Sequence, residues 1–325
     1  MSRQETIGIV GYGHIAQRHL KVIRNLKPDC RIVILTRRSA EKIYNHADVL
    51  AFNCLEDFLK THPTHILVST AASDHAEFID RLSDTNSTIL IEKPIAANLV
   101  QAKRIKDAQQ EKRSKMFVGY NLRFMESYQT LKEHLRSAKF GQLMAVHSLV
   151  GHSLEFWRPD RDLSSVPSSH KSSGGGVLRE LSHEIDLLFN LLGTPFFKKL
   201  TVANLKFKNF DVEDTAILQM AFNIDGVALA SLHLDFIRQD RTRCSQFVGS
   251  NQTLIWDLLS GTITAKSNSK SEVICVANND IETSYTRMWK ALFEDDFRLF
   301  CTVDEAISVI QHVEDMEANC CWVKK

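Results

Sequence analysis

The chain lacks an excess of charge of either sign: 40 Lys and Arg stand against 39 Asp and Glu, a formal net charge of +1. No electrostatic case therefore exists for a nucleic-acid partner or a membrane surface. No apolar run reaches the roughly 18 residues that span a bilayer. No C-x-x-C pair is present. The seven cysteines (Cys30, Cys54, Cys244, Cys275, Cys301, Cys320 and Cys321) are odd in number and irregular in spacing. That argues for a reduced protein and against a disulfide framework or zinc site. His62-x-x-His65 has metal-like spacing, but Pro63 and the strand beginning at 65 deny the two imidazoles a shared helical face. No metal is expected. Residues 1–6 lead straight into a strand with no leader-like stretch, so a cytoplasmic location is expected. No internal repeat is evident.

A length of 325 residues predicts two domains, and 44% apolar with 24% charged residues is ordinary globular composition. Residues 7–10 (IGIV) read as a buried strand, and 11–16 (GYGHIA) turn it into a helix. Strand, G-x-G-x-x-A turn and helix together make a dinucleotide-phosphate cradle. Gly11 permits the tight turn, Gly13 lets a pyrophosphate approach the backbone, and Ala16 keeps helix and strand close. His14 and Ile15 open the helix, whose free N–H groups and dipole face the anion.

Further strands are expected at 31–35, more weakly at 48–52, then at 65–69, 88–92 and 116–119. Asn53 and Asn98 are candidate helix caps, the second for a long helix to about 112, and 76–82 reads as helical. Short strands with helical spacers of 10–15 residues predict an α/β fold with a doubly wound parallel Rossmann sheet. Beyond 121 the pattern changes: a helix at 126–136, then longer strands with period-two alternation. Asp225-Gly226 marks a hairpin between 215–224 and 227–236. Residues 164–176, rich in Ser and Gly, read as a flexible loop, and the last forty as mainly helical. The second domain is expected to be α+β, with a large, mostly antiparallel open-faced sheet. Its semi-polar outer face suits a second subunit. The expected domains are 1–120, binding NAD(P), and 121–325, binding substrate and carrying oligomer contacts.

NAD-preferring sites usually carry an acid at the end of the second strand. Here Thr36, Arg37, Arg38 and Ser39 follow, which suits a 2′-phosphate and favours NADP over NAD. Glu92-Lys93-Pro94 follows the fifth strand at the carboxyl edge, where ligands of open α/β sheets bind, and Lys93 can reach toward a nicotinamide. Gly174-Gly175-Gly176 opens a helix whose Leu178, Leu181, Ile185, Leu188 and Leu192 form one core stripe, with Gly193 as its stop. Glu180 and His183, three residues apart, are expected as neighbours suited to proton transfer. Asn121 and Arg123 after the sixth strand, Trp157 and Arg158, and His170 and Lys171 in the Ser/Gly loop are candidates for substrate contacts.

Taken together, these motifs resemble the Gfo/Idh/MocA oxidoreductase family. The resemblance rests on GIVGYGHIAQRHL at the start, ST-x-x-x-x-H from Ser69 to His75, EKP at 92–94, NLRF at 121–124 and GGGVLRELSHEID at 174–186. The run at 247–263 is similar to the family's C-terminal sheet. The resemblance implies hydride transfer between nicotinamide C4 and a carbon bearing a hydroxyl or carbonyl, on a sugar, cyclitol or sugar-nucleotide. It implies that Lys93 hydrogen-bonds the reacting oxygen and that His183 is the general acid/base. Glu180 stands where many members carry Asp. Glu92 and Asn121 would lie near the nicotinamide, and Ser69, Thr70 and His75 would border the ribose and pyrophosphate. A homo-oligomer, dimer or tetramer, through the open sheet face is implied too. The alternatives are a reductase of a non-sugar carbonyl or unsaturated ring, or a non-catalytic NAD(P)-binding regulator.

Overall fold

The computed structural model describes residues 5–37, 49–112, 115–157, 159, 162–207, 209–268 and 270–323. They fall into two compact units: Met1–Asn121 with Ser284–Ile307, and Leu122–Thr283 with Ser308–Lys325.

In the first unit, the elements are β1 (Thr6–Val10), α1 (His14–Leu26), β2 (Arg31–Leu35), β3 (Val49–Phe52), α2 (Leu55–Leu59), β4 (His65–Val68), α3 (His75–Leu82), β5 (Thr88–Ile91), α4 (Leu99–Lys112) and β6 (Met116–Val118). The strands run in the order β6-β5-β4-β1-β2-β3, all parallel. Cys301–Thr302 adds an antiparallel edge to β6. β1 lies between β2 and β4, so the winding reverses there. That reversal opens a crevice at the strands' carboxyl ends, the place where such sheets take ligands. Isoleucine, valine and leucine fill β1, β2, β4 and β5 because both faces of the sheet are covered, and β1 is buried throughout. Helix α1 turns Ala16, His19, Leu20, Val22 and Ile23 inward, one stripe at helical spacing.

Asn98 caps α4 as its sequence suggests, accepting the Gln101 N–H at 2.9 Å. The other cap differs. Helix α2 starts one residue later than an Asn53 cap requires, with the extended Cys54 as its cap and Phe58 N–H donating to Cys54 O. Of the expected third strand, residue 48 lies outside the described residues.

The second unit contains α5 (Glu126–Leu135), β7 (Leu143–Gly151), α6 (Leu154–Trp157), α7 (Val177–Glu180), α8 (Ser182–Leu192), β8 (Phe197–Ala203), β9 (Thr215–Asn223), β10 (Val227–Asp235), β11 (Thr242–Gly249), β12 (Thr253–Asp257), β13 (Thr262–Ser267) and β14 (Lys270–Val276). The sheet order is β14-β13-β12-β11-β7-β10-β9-β8, closed at one edge by Cys321–Val323. Pairing is antiparallel except between β7 and β10 and between β8 and Cys321–Val323. Ala216, Leu218, Met220 and Phe222 of β9 are buried, whereas Ile217, Gln219 and Asn223 are exposed, which is the expected two-faced alternation. The outer face mixes apolar and polar groups: Leu229 is 60% exposed, while neighbouring His147 Nδ1 meets Ser231 Oγ at 2.9 Å.

Two expectations for this unit need correction. The Ser/Gly segment is not a loose loop: it winds through three short 3-10 turns, Leu163–Ser165, Pro167–Ser169 and Lys171–Ser173, and buries Ser168 and Ser169. The helix from 177 to 192 is not continuous. Leu181 (φ −99°, ψ 28°) breaks it into α7 and α8. The apolar stripe continues through the break, so periodicity alone could not locate it.

Arg123 and Asp186 form a bidentate pair inside this unit, at 2.9 and 2.6 Å, both almost fully buried. Removing one partner strands the other charge away from water. Asp186→Ala should lower the stability of the second unit by about 3 kcal/mol in a urea titration; a loss under about 1 kcal/mol would show the pair to be dispensable.

Candidate functional site

The cradle begins where β1 ends. Gly11 holds φ +90°, a left-handed conformation that a side chain resists, and a Cβ there would lie 2.9 Å from Thr70 Cγ2. Gly13 differs: its φ is −88°, and a Cβ added to it would meet nothing within 4 Å. Nothing in the fold itself forbids a side chain at Gly13, so the open space in front of it suits an approaching ligand. Helix α1 starts at this point with no side-chain cap and no acid in its first turn. Its N-terminal N–H groups and positive dipole end are thus uncovered by any carboxylate of that turn. These features fit a dinucleotide pyrophosphate.

The loops on adjacent strands line up at the same edge. Ser69 N–H donates to Val10 O and Glu92 N–H donates to Val68 O, extending the parallel ladder from β1 through β4 to β5. Ser69 is buried, its hydroxyl donating to Val10 O at 3.1 Å. Thr70 packs on Gly11. His14 is exposed and Ile15 half-buried at the start of α1. Thr36 is buried at the end of β2 and Arg37 beside it is exposed. Arg38 lies outside the described residues.

His75, expected beside the ribose or pyrophosphate, lies inside the protein. Its Nδ1 faces Ile95 O at 3.0 Å and its Nε2 faces Thr70 O at 3.2 Å, so the ring lies between the loops after β4 and β5, with one N–H to donate in its neutral form. Burial pushes its imidazole below the usual histidine range. Asn121 is buried too, donating from Nδ2 to Ser284 Oγ at 2.7 Å.

Glu92 uses both its carboxylate oxygens. Its Oε1 meets His19 Nε2 at 2.7 Å and its Oε2 accepts the Lys93 N–H at 3.1 Å. Trp289 Nε1–H donates to His19 Nδ1 at 2.7 Å. Lys93 itself is half-buried, and the Lys93–Pro94 bond is cis.

In the second unit the three glycines form a compact turn. Gly175 N–H donates to His170 O and Gly176 N–H to Ser168 O. Gly176 has φ +99°, and a Cβ on it would sit 2.5 Å from Glu213 Oε1. Glu213 holds the turn twice: its backbone O accepts Val177 N–H at 3.2 Å, and Oε1 accepts Leu178 N–H at 3.0 Å. Glu180 is half-buried and accepts the Ser168 hydroxyl, and buried His183 follows the break at Leu181. Glu180 and His183 therefore sit on two short helices rather than on one face of a single helix.

The remaining candidates scatter. Arg123 is committed to Asp186, so its guanidinium is directed into the fold. Trp157 is exposed, with its ring near those of His152 and Phe236. His170 Nε2 faces Ser164 O at 2.6 Å, and Lys171 is exposed, its backbone N–H held by Asp211. Arg158 lies outside the described residues. Sequence reasoning missed His19, Trp289 and Glu213. Only the position of His19, three residues after Ala16 on the buried stripe of α1, offered a signal.

A parallel sheet wound around a glycine turn, joined to a second unit with a large mostly antiparallel sheet, defines a nicotinamide-dinucleotide oxidoreductase fold. Residues 6–120 match the model of the oxidoreductase family with an NAD-binding Rossmann fold, and 128–255 match the GFO/IDH/MocA C-terminal domain. The chain belongs to the Gfo/Idh/MocA family. It is 25% identical over 233 residues to the uncharacterized oxidoreductase YhhX of Escherichia coli K12, covering 69% of this chain and 64% of that protein. It is 24% identical over 196 residues to inositol 2-dehydrogenase of Salmonella typhimurium, covering 58% and 55%. The matches thus span between about half and two thirds of those relatives.

Among solved structures, UDP-N-acetylglucosamine 3-dehydrogenase GnnA from Acidithiobacillus ferrooxidans superposes with TM-score 0.79 at 16% identity over 98% of both chains. Biliverdin reductase from Synechocystis, solved with biliverdin and NADP+, gives TM-score 0.77 at 14% identity over 97% of this chain and 98% of that one. GenD2 from gentamicin A biosynthesis, solved with NAD, gives 0.78 at 20% over 98% and 94%. Neighbours of this fold bind either dinucleotide, so the fold does not choose between them.

Burial pushes the Glu213 carboxyl up to about 7. The folded state therefore holds its proton more tightly than the unfolded chain, whose value is near 4.5. The stability this proton contributes is complete below pH 4.5 and is lost as pH rises toward 7, by about 3 kcal/mol in all. Glu213→Gln should flatten the pH dependence of urea stability in that window. Parallel profiles for the two proteins would contradict the buried titration.

Proposed function

We propose that this protein is an NAD(P)-dependent dehydrogenase or reductase that moves a hydride between the nicotinamide and a hydroxyl or carbonyl carbon of a sugar, cyclitol or sugar-nucleotide. One observation carries the reading: Lys93 stands two residues past the end of β5, at the carboxyl edge that also holds the Gly11–Gly13 turn and Thr70. A dinucleotide laid along that edge has its pyrophosphate at α1 and brings its far end toward the strands beyond β4. A bound nicotinamide supplies the two-electron chemistry. Lys93 hydrogen-bonds the reacting oxygen and assists its proton transfer. His183 of the second unit acts as general acid/base, with Glu180 as a further catalytic group. The inositol and UDP-N-acetylglucosamine dehydrogenases among the relatives support a carbohydrate-like substrate.

NADP is the proposed cofactor, because β2 ends in Leu35-Thr36-Arg37 with no acid to hold a ribose 2′-hydroxyl. The outer face of the second unit's sheet is the proposed contact between subunits, since Ile217 and Leu229 expose apolar surface there.

Lys93→Ala should abolish dinucleotide-linked absorbance change with a panel of sugars, cyclitols and sugar-nucleotides while nucleotide binding persists. Undiminished turnover would remove Lys93 from the mechanism. Arg37→Ala should weaken NADP binding by about tenfold and leave NAD binding unchanged; equal binding of the two cofactors by the unaltered protein would overturn the preference. Leu229→Glu should lower the sedimentation mass of the assembly. An unchanged assembly would place the subunit contact elsewhere.

A further inference from the structure

His19 is fully buried and joins two groups, Glu92 and Trp289, that lie far apart in sequence. An indole N–H can only donate. With Trp289 Nε1–H pointing at His19 Nδ1, that ring nitrogen must be an acceptor. The ring proton is therefore on Nε2, where it donates to Glu92 Oε1 at 2.7 Å. Glu92 then has one oxygen fixed by imidazole and the other aimed at the Lys93 N–H, 3.1 Å away. Tyr285 stands edge-on to the imidazole at 5.0 Å, and a 180° flip of the ring would put carbons where Nδ1 and Nε2 now meet Trp289 and Glu92. Gly119 lies beside the same oxygen: a Cβ on it would stand 3.2 Å from Glu92 Oε1.

We infer that Trp289 and His19 are positioning residues for Lys93: the indole fixes the imidazole tautomer, the imidazole fixes the Glu92 carboxylate, and the carboxylate fixes the backbone at Lys93. The inference deepens the proposed function and rests on it for the role of Lys93. Its physical content is that the side chain at the carboxyl edge of β5 starts from a backbone N–H held by a carboxylate whose other oxygen is bonded to a buried imidazole. A buried carboxylate needs such partners in any case. The distinctive feature is that both its oxygens are used, one to be held and one to hold.

The test is read without substrate. Nitrogen-15 spectra of the histidine rings should show His19 with its proton on Nε2 and a bare Nδ1. A proton on Nδ1 would overturn the inference. In amide hydrogen exchange, His19→Leu should speed exchange at the Lys93 N–H by about tenfold, while the Glu92 N–H bonded to Val68 O and the Gly119 N–H bonded to Ile91 O stay protected. A merely structural role would loosen all three together, or leave Lys93 unchanged, and either result contradicts the inference. His19→Gln retains a donor toward Glu92 and should restore most of the protection at Lys93. It also serves as the working variant if the leucine replacement fails to fold. Trp289→Phe removes the donor to Nδ1 and should speed exchange at the Lys93 N–H by severalfold; unchanged exchange there would show the indole to be unnecessary. If these exchange results hold and no carbohydrate in the panel is turned over, this inference stands and the proposed function fails.

Discussion

A carboxylate buried at the carboxyl end of a parallel sheet must find its hydrogen-bond partners inside the protein. Glu92 meets that demand with three parts of the first unit. His19 comes from the helix that carries the glycine turn, the Lys93 amide comes from the loop after β5, and Trp289 stands behind His19 on a segment that returns from near the end of the chain. The cradle helix, the β5 edge and the returning segment are thus joined through one buried group. His75 packs between the loop that carries Lys93 and the loop after β4, its two ring nitrogens facing Ile95 O and Thr70 O. Residues that resemble family motifs here serve to hold loops in place as much as to meet a ligand.

The second unit solves a similar problem differently. Three glycines allow a turn tight enough to place its backbone on the Glu213 carboxylate, and that contact fixes where α7 begins. The broken helix then sets Glu180 and His183 on separate segments, with Ser168 bonded to Glu180. Arg123 and Asp186 neutralise one another beneath the same helices. Other buried carboxylates of this unit are met by backbone N–H groups instead: Asp214 accepts those of Leu205, Lys206 and Phe207. The unit's exposed candidates, Trp157 and Lys171, lie on the Ser/Gly segment and just before it.

The Rossmann sheet was legible because β1, β2, β4 and β5 are covered on both faces and therefore written in Ile, Val and Leu. The glycine turn was legible because Gly11 answers a backbone requirement that few residues satisfy. The break at Leu181 was not, because the leucine stripe on either side of it keeps one period. Nor was the return of residues 284–307 to the first unit: periodicity reports which face of a helix is buried, not which core buries it. His19 and Glu213 escaped for the same kind of reason. A polar residue gives no sign in sequence of which partner it will meet until the fold brings in Trp289 or Gly176. Arg123 looked like a ligand-binding cation in sequence, and only the fold supplies Asp186.

The central claim is that the crevice at the glycine turn holds a dinucleotide phosphate, and Gly13 tests it most directly. Its backbone is not left-handed and a Cβ there meets no protein atom within 4 Å, so a side chain should cost the fold almost nothing. Fluorescence titration with NADPH should show Gly13→Val binding at least about tenfold more weakly than the unaltered protein, with an unchanged melting temperature. Undiminished NADPH affinity in that variant would contradict the account.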